Sequence, residues 1–214
     1  MSETLEEKLA KIERGDAELQ RYFMKAAQSD PSMYVSDFII FGALKRTLAL
    51  SEGFRSHIRE RNFTCAGALL RLQLDTALRL HAARLSGNPE AYAKAVFEGQ
   101  RVDRLKDRDG NRMTDSYLAQ KLSEEHPWVK RAYEGLCDFI HFSNRHFFTS
   151  IANLNSEERI VHFQISAKDP PRPESDYFES VDGFYETMRL TLHIAAAWHM
   201  VMHAPERAAV PPAA

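Results

Sequence analysis

Cysteine is scarce in this 214-residue sequence, which contains only Cys65 and Cys137, far apart and in apolar surroundings. No pair has CxxC spacing, which excludes a zinc knuckle and a thioredoxin-like redox motif. We interpret both residues as buried free thiols of a protein in a reducing compartment. The alternative is a disulfide between them, but nothing else in the sequence indicates secretion.

Long apolar runs and an excess of charge of one sign are also absent. No stretch approaches the roughly 18 consecutive apolar residues of a membrane span, and the charged N-terminus lacks the apolar core of a signal peptide. The formal net charge is −2, so bulk charge does not support RNA or DNA as a partner. The net charge does not exclude a local basic patch. We expect a soluble, cytoplasmic protein that does not bind a membrane.

What the sequence does contain is helical periodicity over most of its length. Hydrophobic residues make up 44% of the chain and charged residues 27%, which is typical of a globular domain with a real core. Apolar residues recur every three or four positions between breaks rich in proline and glycine. The predicted helices span residues 4–28, 34–61, 63–85, 89–97, 114–125, 128–141 and 176–203.

These patterns predict a mainly α, single-domain bundle of five to seven helices over residues 1–205, with a flexible tail at 206–214. The stretch 63–85 is apolar on most sides, so we expect it at the centre. Gly15 indicates a break in the first helix. Residues 147–166 change to the period of a β-hairpin, with a half-buried strand that starts at Ile160.

Three charged residues form a stripe on the predicted central helix. Arg71, Asp75 and Arg79 are spaced i, i+4 and i+8, so they lie along one face. One interpretation is an ion-pair ladder on a partly wet strip. The other is a ligand-binding site, since a charge at a central position is costly unless it is paired, and arginine binds phosphate or carboxylate well.

The stretch LCDFIHFSNRHFF, residues 136–148, carries polar groups in an apolar run. His141 and His146 are candidates for a general acid and base, and Arg145 for anion binding. Ser143 and Asn144 are candidate ligand-binding residues at the helix exit. The alternative is a helix cap in which these side chains satisfy the last carbonyl groups. We expect His141 to lie on a helix that faces Arg71.

His199 and His203 lie four residues apart on the last predicted helix, so both imidazoles can reach one metal ion. The motif has no internal glutamate and is not HExxH, which excludes a metallopeptidase of that type. A third ligand would come from His193, from around His141, or from Asp75. The alternative is two histidines near a helix end, where the dipole favours a positive charge. We predict no cofactor.

The residues Arg71-xxx-Asp75 and Tyr133-xxx-Cys137-xxx-His141-x-Ser143 resemble a group of poorly characterised bacterial helical proteins that look related to the HEPN class. The likeness covers residues 37–147. It implies a helical fold, often dimeric; many HEPN proteins are metal-independent RNases or parts of toxin and phage-defence systems. This chain departs from their nuclease motif, because no arginine is followed by a histidine with four to six residues between them.

Three hypotheses follow for function. The first is a non-enzymatic module that forms a homo-oligomer, most simply a homodimer, or binds a protein partner or a small ligand. The second is a HEPN-like, metal-independent RNase in which His141 and His146 act as acid and base and Arg145 or Arg71 stabilises the transition state. The third is a metal-binding bundle that uses His199 and His203.

Overall fold

Eight α-helices and one two-stranded hairpin make up the part of the chain that the computed structural model describes, residues 3–29 and 32–203. This is the mainly α bundle with a small hairpin that the sequence predicts. The end of the predicted domain at 205 and the predicted tail at 206–214 lie outside the described residues. The elements in order are α1 (Leu5–Ser29), α2 (Val35–Arg59), α3 (Phe63–Leu85), α4 (Pro89–Phe97), a 3-10 turn (Val102–Arg104), α5 (Asp115–Ser123), α6 (Trp128–Ile140), α7 (Asn144–Phe148), β1 (Ile151–Asn155), β2 (Ile160–Phe163) and α8 (Glu174–His203).

Side-chain caps explain where the central helices begin. The Asn62 side chain accepts a hydrogen bond from the Cys65 N–H at 3.0 Å and starts α3. Asn88 does the same for the Ala91 N–H at 3.0 Å and starts α4, whose first residue is a proline, which has no backbone N–H and so needs no acceptor there. These interactions satisfy N–H groups that have no partner inside the helix, so short polar residues set the helix boundaries.

Helix α3 lies at the centre of the bundle, as predicted, and packs against α2, α4, α5, α6 and α8. Helix α8 lies alongside it and also packs against α1 and α2. At the core, the rings of Phe54 and Phe184 stack with 4.3 Å between their centroids, and neither ring is exposed. Burial of each such side chain contributes roughly 1.5–3 kcal/mol to folding.

Gly15 does not break α1, contrary to the expectation from the sequence, and the helix runs unbroken to its end. A Cβ atom at this position would lie 2.1 Å from the Cε of Met188 on α8. The glycine therefore permits close packing of α1 on α8, a benefit that outweighs its low helix propensity.

The hairpin is in the predicted region, but the prediction of a half-buried strand is wrong. Strands β1 and β2 pair antiparallel, with Ile151 opposite Phe163 and an irregularity after Ile151. Every residue of β2 is exposed. Alternating apolar residues fit a half-buried strand only if another element covers one face, and in residues 3–29 and 32–203 the hairpin is a sheet of two strands only.

Candidate functional site

The predicted stripe on α3 is part of an ion-pair network between helices. Asp75 and Arg79 form the expected i, i+4 pair, with 3.0 Å between the Asp75 Oδ1 and the Arg79 Nη2. Arg71 pairs instead with Asp115 of α5, at 3.3 Å, and Arg79 also donates to Asp115. The Arg71 guanidinium lies 4.6 Å from the centroid of the Tyr133 ring on α6. The network therefore ties α3 to α5 and α6.

Burial makes this network costly to disrupt, because Arg71 is only 3% exposed. Burial acts to lower the pKa of Arg79, but the charges of Asp75 and Asp115 outweigh it, so the pKa is raised. The Arg71 Nε and the Arg79 Nη1 have no hydrogen-bond partner among the described residues. Because nearby carboxylates offset the charge of both arginines, the geometry favours the ion-pair ladder and leaves two donors for water or a small polar group.

His141 does not lie on the helix that was expected to present it to Arg71. Helix α6 ends at Ile140, and His141 is its C-cap, with φ −107° and ψ 138°. Its N–H donates to the Cys137 carbonyl at 3.1 Å, and the residue is exposed. The α6 residue that meets Arg71 is Tyr133, so the expected position of His141 is wrong.

The remaining residues of the helix exit form the short helix α7. Ser143 is its N-cap, and the Ser143 N–H donates to the His146 Nδ1 at 3.2 Å. The Arg145 guanidinium lies 4.4 Å from the centroid of the Phe139 ring, while Asn144 is exposed. Because Nδ1 accepts a hydrogen bond, neutral His146 carries its hydrogen on Nε2 and is a donor at that atom.

His146 lines a polar cleft of about 340 Å³ between the start of α3, α7 and the loop that follows β2. Cys65 and Asp169 are also part of its wall. The Asp169 carboxylate already accepts hydrogen bonds from the Phe63 N–H at 2.6 Å and the Tyr177 hydroxyl at 3.2 Å. Among the residues that line this cleft, His146 is the only histidine, so the predicted pair of an acid and a base does not meet here.

The predicted metal ligands do come together, and they meet a carboxylate from a distant part of the chain. The His203 Nε2 lies 3.0 Å from each carboxylate oxygen of Asp37, and the His199 and His203 rings stack with 4.2 Å between centroids. One ligand atom from each of Asp37, His199 and His203 lies within 4.8 Å of the other two. The third residue is therefore Asp37, and not His193 or Asp75 as considered from the sequence.

Asp37 was not identified as a candidate ligand from the sequence, because it also has an ordinary structural role. It lies in the first turn of α2, where its Oδ2 accepts a hydrogen bond from the Tyr34 N–H at 2.8 Å. Acidic residues are common in first turns because they compensate the helix dipole. What distinguishes Asp37 is its exposure of 1%, which results from the C-terminal end of α8 covering the start of α2, and a sequence pattern does not reveal that contact.

A tyrosine hydroxyl adds a further polar group at this cluster. The Tyr22 ring lies edge-on to His199, with 6.0 Å between centroids. Burial, together with the charge of Asp37, raises the Tyr22 pKa to about 12, and its hydroxyl has no hydrogen-bond partner among the described residues. A buried hydroxyl beside two imidazoles and a carboxylate can donate to a group held by them.

The spacing of the cluster suits a metal ion. Two ligand atoms bound about 2.1 Å from one ion are roughly 3.0–3.4 Å apart in octahedral or tetrahedral geometry, and the His203 and Asp37 atoms are 3.0 Å apart. The His199 nitrogen would have to move by about 1–2 Å at most to complete the triad. The same 3.0 Å contact also serves as a hydrogen bond between His203 and Asp37 when no ion is bound.

A second group of exposed side chains is apolar and lies on the exit of α6, α7 and the hairpin. Their exposed fractions are high, from 56% to 86%. They are Phe142, Phe147, Phe148, Leu154, Phe163 and Ile165. Large exposed apolar side chains concentrated in one segment of the chain are typical of interaction surfaces.

No protein-family model, curated protein or solved structure matches the chain. Over the described ranges, 3–29 and 32–203, none of the helices has both the length and the apolar character needed to cross a lipid bilayer.

Proposed function

We propose that this protein is a metal-binding helical bundle whose ligands are Asp37, His199 and His203. The observation that carries the proposal is the approach of three potential ligand atoms to within 4.8 Å of one another around a carboxylate that is 1% exposed. Two imidazoles and one carboxylate suit divalent first-row transition metals, among them Zn²⁺ and Fe²⁺.

Electrostatics supports a cation at this position. With both imidazoles neutral, the cluster carries the single negative charge of Asp37, and a buried carboxylate is costly unless it is compensated. A divalent ion supplies that compensation and joins the C-terminal end of α8 to the start of α2. Three protein ligands also leave a fourth position on a tetrahedral zinc ion, so the site would permit Lewis-acid chemistry beside the Tyr22 hydroxyl.

The test is elemental analysis of the full chain, purified without a histidine tag or chelator, then loaded with Zn²⁺ and desalted. We expect about one equivalent of bound zinc. Asp37→Asn and His199→Ala should retain less than about a tenth of that amount, because each removes one of three ligands. His193→Ala is the matched control, since His193 is an exposed histidine on the same helix, and it should bind zinc as the unmodified chain does.

Asp37→Asn separates the metal proposal from the capping role of Asp37. The asparagine oxygen can still accept the hydrogen bond from the Tyr34 N–H, so α2 keeps its cap while the negative charge is lost. Less than about a tenth of an equivalent of zinc on the unmodified chain would refute the proposal. Full zinc content in Asp37→Asn would refute the assignment of Asp37 as a ligand.

We also propose that the chain forms a homodimer through the exposed apolar surface of α7 and the hairpin. Phe148 and Phe163 are 68% and 64% exposed, and burial against a second copy would remove both from water. Sedimentation equilibrium should show a dimer that Phe148→Glu and Phe163→Glu each convert to a monomer. Phe97→Glu is the control, because Phe97 is 62% exposed but lies on α4. A monomeric unmodified chain would refute this proposal.

The cytoplasmic location and the RNase activity predicted from the sequence remain proposals, with less support than the metal site and the homodimer. Cys65 and Cys137 are free thiols, both half-buried where full burial was expected, and free thiols support a cytoplasmic location. The RNase hypothesis is supported by His146 in its polar cleft, with Nε2 as a donor. Metal-independent cleavage of single-stranded RNA that His146→Ala abolishes would establish it, and no cleavage at stoichiometric enzyme would reject it.

A further inference from the structure

A cleft of about 510 Å³ lies between α3, α5 and α8, on a different face of α8 from the histidine triad. This volume falls within the range of roughly 300–1,000 Å³ that small-molecule sites occupy. Its walls are mainly apolar, with Leu80, Leu122 and Ile194 among them. Such a cleft is favourable for the apolar part of a small molecule, because contact with these side chains removes the apolar surface from water.

Two buried polar atoms of the cleft residues have no partner. The His81 Nε2 and the Trp198 Nε1 form no hydrogen bond among the described residues, although their residues are only 2% and 6% exposed. Both residues line the cleft. An unsatisfied buried polar group costs about 1–3 kcal/mol, so one such group on α3 and one on α8, both in residues that line the cleft, favour a ligand that supplies the missing partners. An indole N–H is only a donor, so its partner has to be an acceptor.

The charge at the mouth of the cleft is positive. Arg84 and Arg108 both line it, together with Glu125. Glu125 is paired with Arg84, whereas Arg108 donates to the Arg84 carbonyl at 2.8 Å and has no ion pair in the described part of the chain. One arginine charge therefore remains without a carboxylate beside an apolar cavity, which favours an anionic ligand.

We infer that the cleft between α3, α5 and α8 binds a small apolar carboxylate, with the Trp198 N–H and His81 as hydrogen-bond partners and the charge of Arg108 at the mouth. The apolar walls accommodate the hydrocarbon part of the molecule. A carboxylate is an acceptor at both oxygens, as the Trp198 N–H requires. This inference is independent of the metal proposal, because no residue of the triad lines the cleft.

The probe is 2-naphthoate, titrated into the full chain by calorimetry, with its neutral amide, naphthalene-2-carboxamide, as the paired ligand. We expect saturable binding of one 2-naphthoate per chain and at least about tenfold weaker binding of the amide, as for the loss of one charge-assisted hydrogen bond. His81→Leu and Trp198→Phe should each weaken 2-naphthoate binding about tenfold, since each removes one polar partner and keeps an apolar side chain of similar shape.

A cavity-filling variant keeps the test independent of folding effects. Ala197 lines the cleft and is exposed, so Ala197→Phe fills the cavity from the solvent side and should abolish binding without disturbing the core. Ala49→Phe, at an exposed alanine of α2, is the matched control and should bind normally. The inference is overturned if 2-naphthoate does not bind, if Ala197→Phe binds it with unchanged affinity, or if the neutral amide binds equally well.

Discussion

Acidification should destabilise this protein through His81, a buried histidine of α3. Burial, with a smaller contribution from the positive charge of Arg84, lowers the His81 pKa from 6.5 to about 4. In the unfolded chain the imidazole has its ordinary pKa and takes up a proton as the pH falls below 6.5. The folded protein resists that proton down to about pH 4. The free energy of unfolding therefore decreases as the pH falls through this window, and it is unaffected by His81 above the window.

The size of the effect follows from the two pKa values. The difference between 6.5 and about 4 corresponds to about 3 kcal/mol when it is fully expressed. At a pH of about 4.5 most of the loss, roughly 2.5 kcal/mol, is already present. That is a large share of the 5–15 kcal/mol or so that stabilises a typical domain.

The assay is urea unfolding followed by circular dichroism at about pH 7 and about pH 4.5, on the unmodified chain and on His81→Leu. Carboxylates titrate in the same range, so the informative quantity is the difference between the two proteins in their loss of stability. We expect His81→Leu to lose about 2–3 kcal/mol less than the unmodified chain. At neutral pH the leucine should be neutral or stabilising, because the His81 Nε2 has no partner to lose. An equal loss in both proteins would refute the reasoning.

Three further perturbations test other parts of the structure. Excess Zn²⁺ at about 100 times its dissociation constant should raise the melting temperature by roughly 5–10 °C, and Asp37→Asn should abolish this shift in a thermal melt. Gly67→Ala should destabilise by about 1–3 kcal/mol in urea, because its Cβ would lie 2.4 Å from a phenyl ring of α6; Gly42→Ala, with nothing within 4 Å, should stabilise α2 by up to about 1 kcal/mol. Asp115→Ala leaves Arg71 buried without its carboxylate and should cost about 2–4 kcal/mol, measured in the same way.

Much of the fold could be predicted from the sequence because local signals agree with the packing. Proline and asparagine at the start of α4 act within a few residues of themselves, so they mark its boundaries without knowledge of the rest of the chain. The alternation in β2 is a local signal of the same kind, but its burial depends on whether another element covers the strand. The prediction of a helix break at Gly15 is wrong for the same reason. The Met188 side chain, which packs where a Cβ atom of residue 15 would lie, is far away in sequence.

The candidate sites show the same difference between local signals and contacts that are distant in sequence. The spacing of His199 and His203 shows that both imidazoles can share a face, because four residues on a helix are a local distance. Asp37 lies more than 160 positions earlier in the chain, so only the packing of α8 against α2 brings it to them. His141 illustrates the converse: one residue of error in the end of α6 moved it from a helix face to the solvent. For a site made from separate helices, the sequence therefore reveals only those residues that lie close together along one helix.

Helix α8 also explains why neighbouring residues can belong to different sites. Successive residues of an α-helix are about 100° apart, so Trp198 lines the cleft beside α3 while His199 meets the α1 side at Tyr22. Most helices of a soluble domain have one apolar stripe, whereas α8 is packed by α1, α2 and α3. Its apolar residues are spread around the helix, so the sequence does not show which face meets which partner. Substitutions at these two adjacent positions should therefore affect different ligands, and measuring zinc and 2-naphthoate on both variants distinguishes two sites from one general loss of folding.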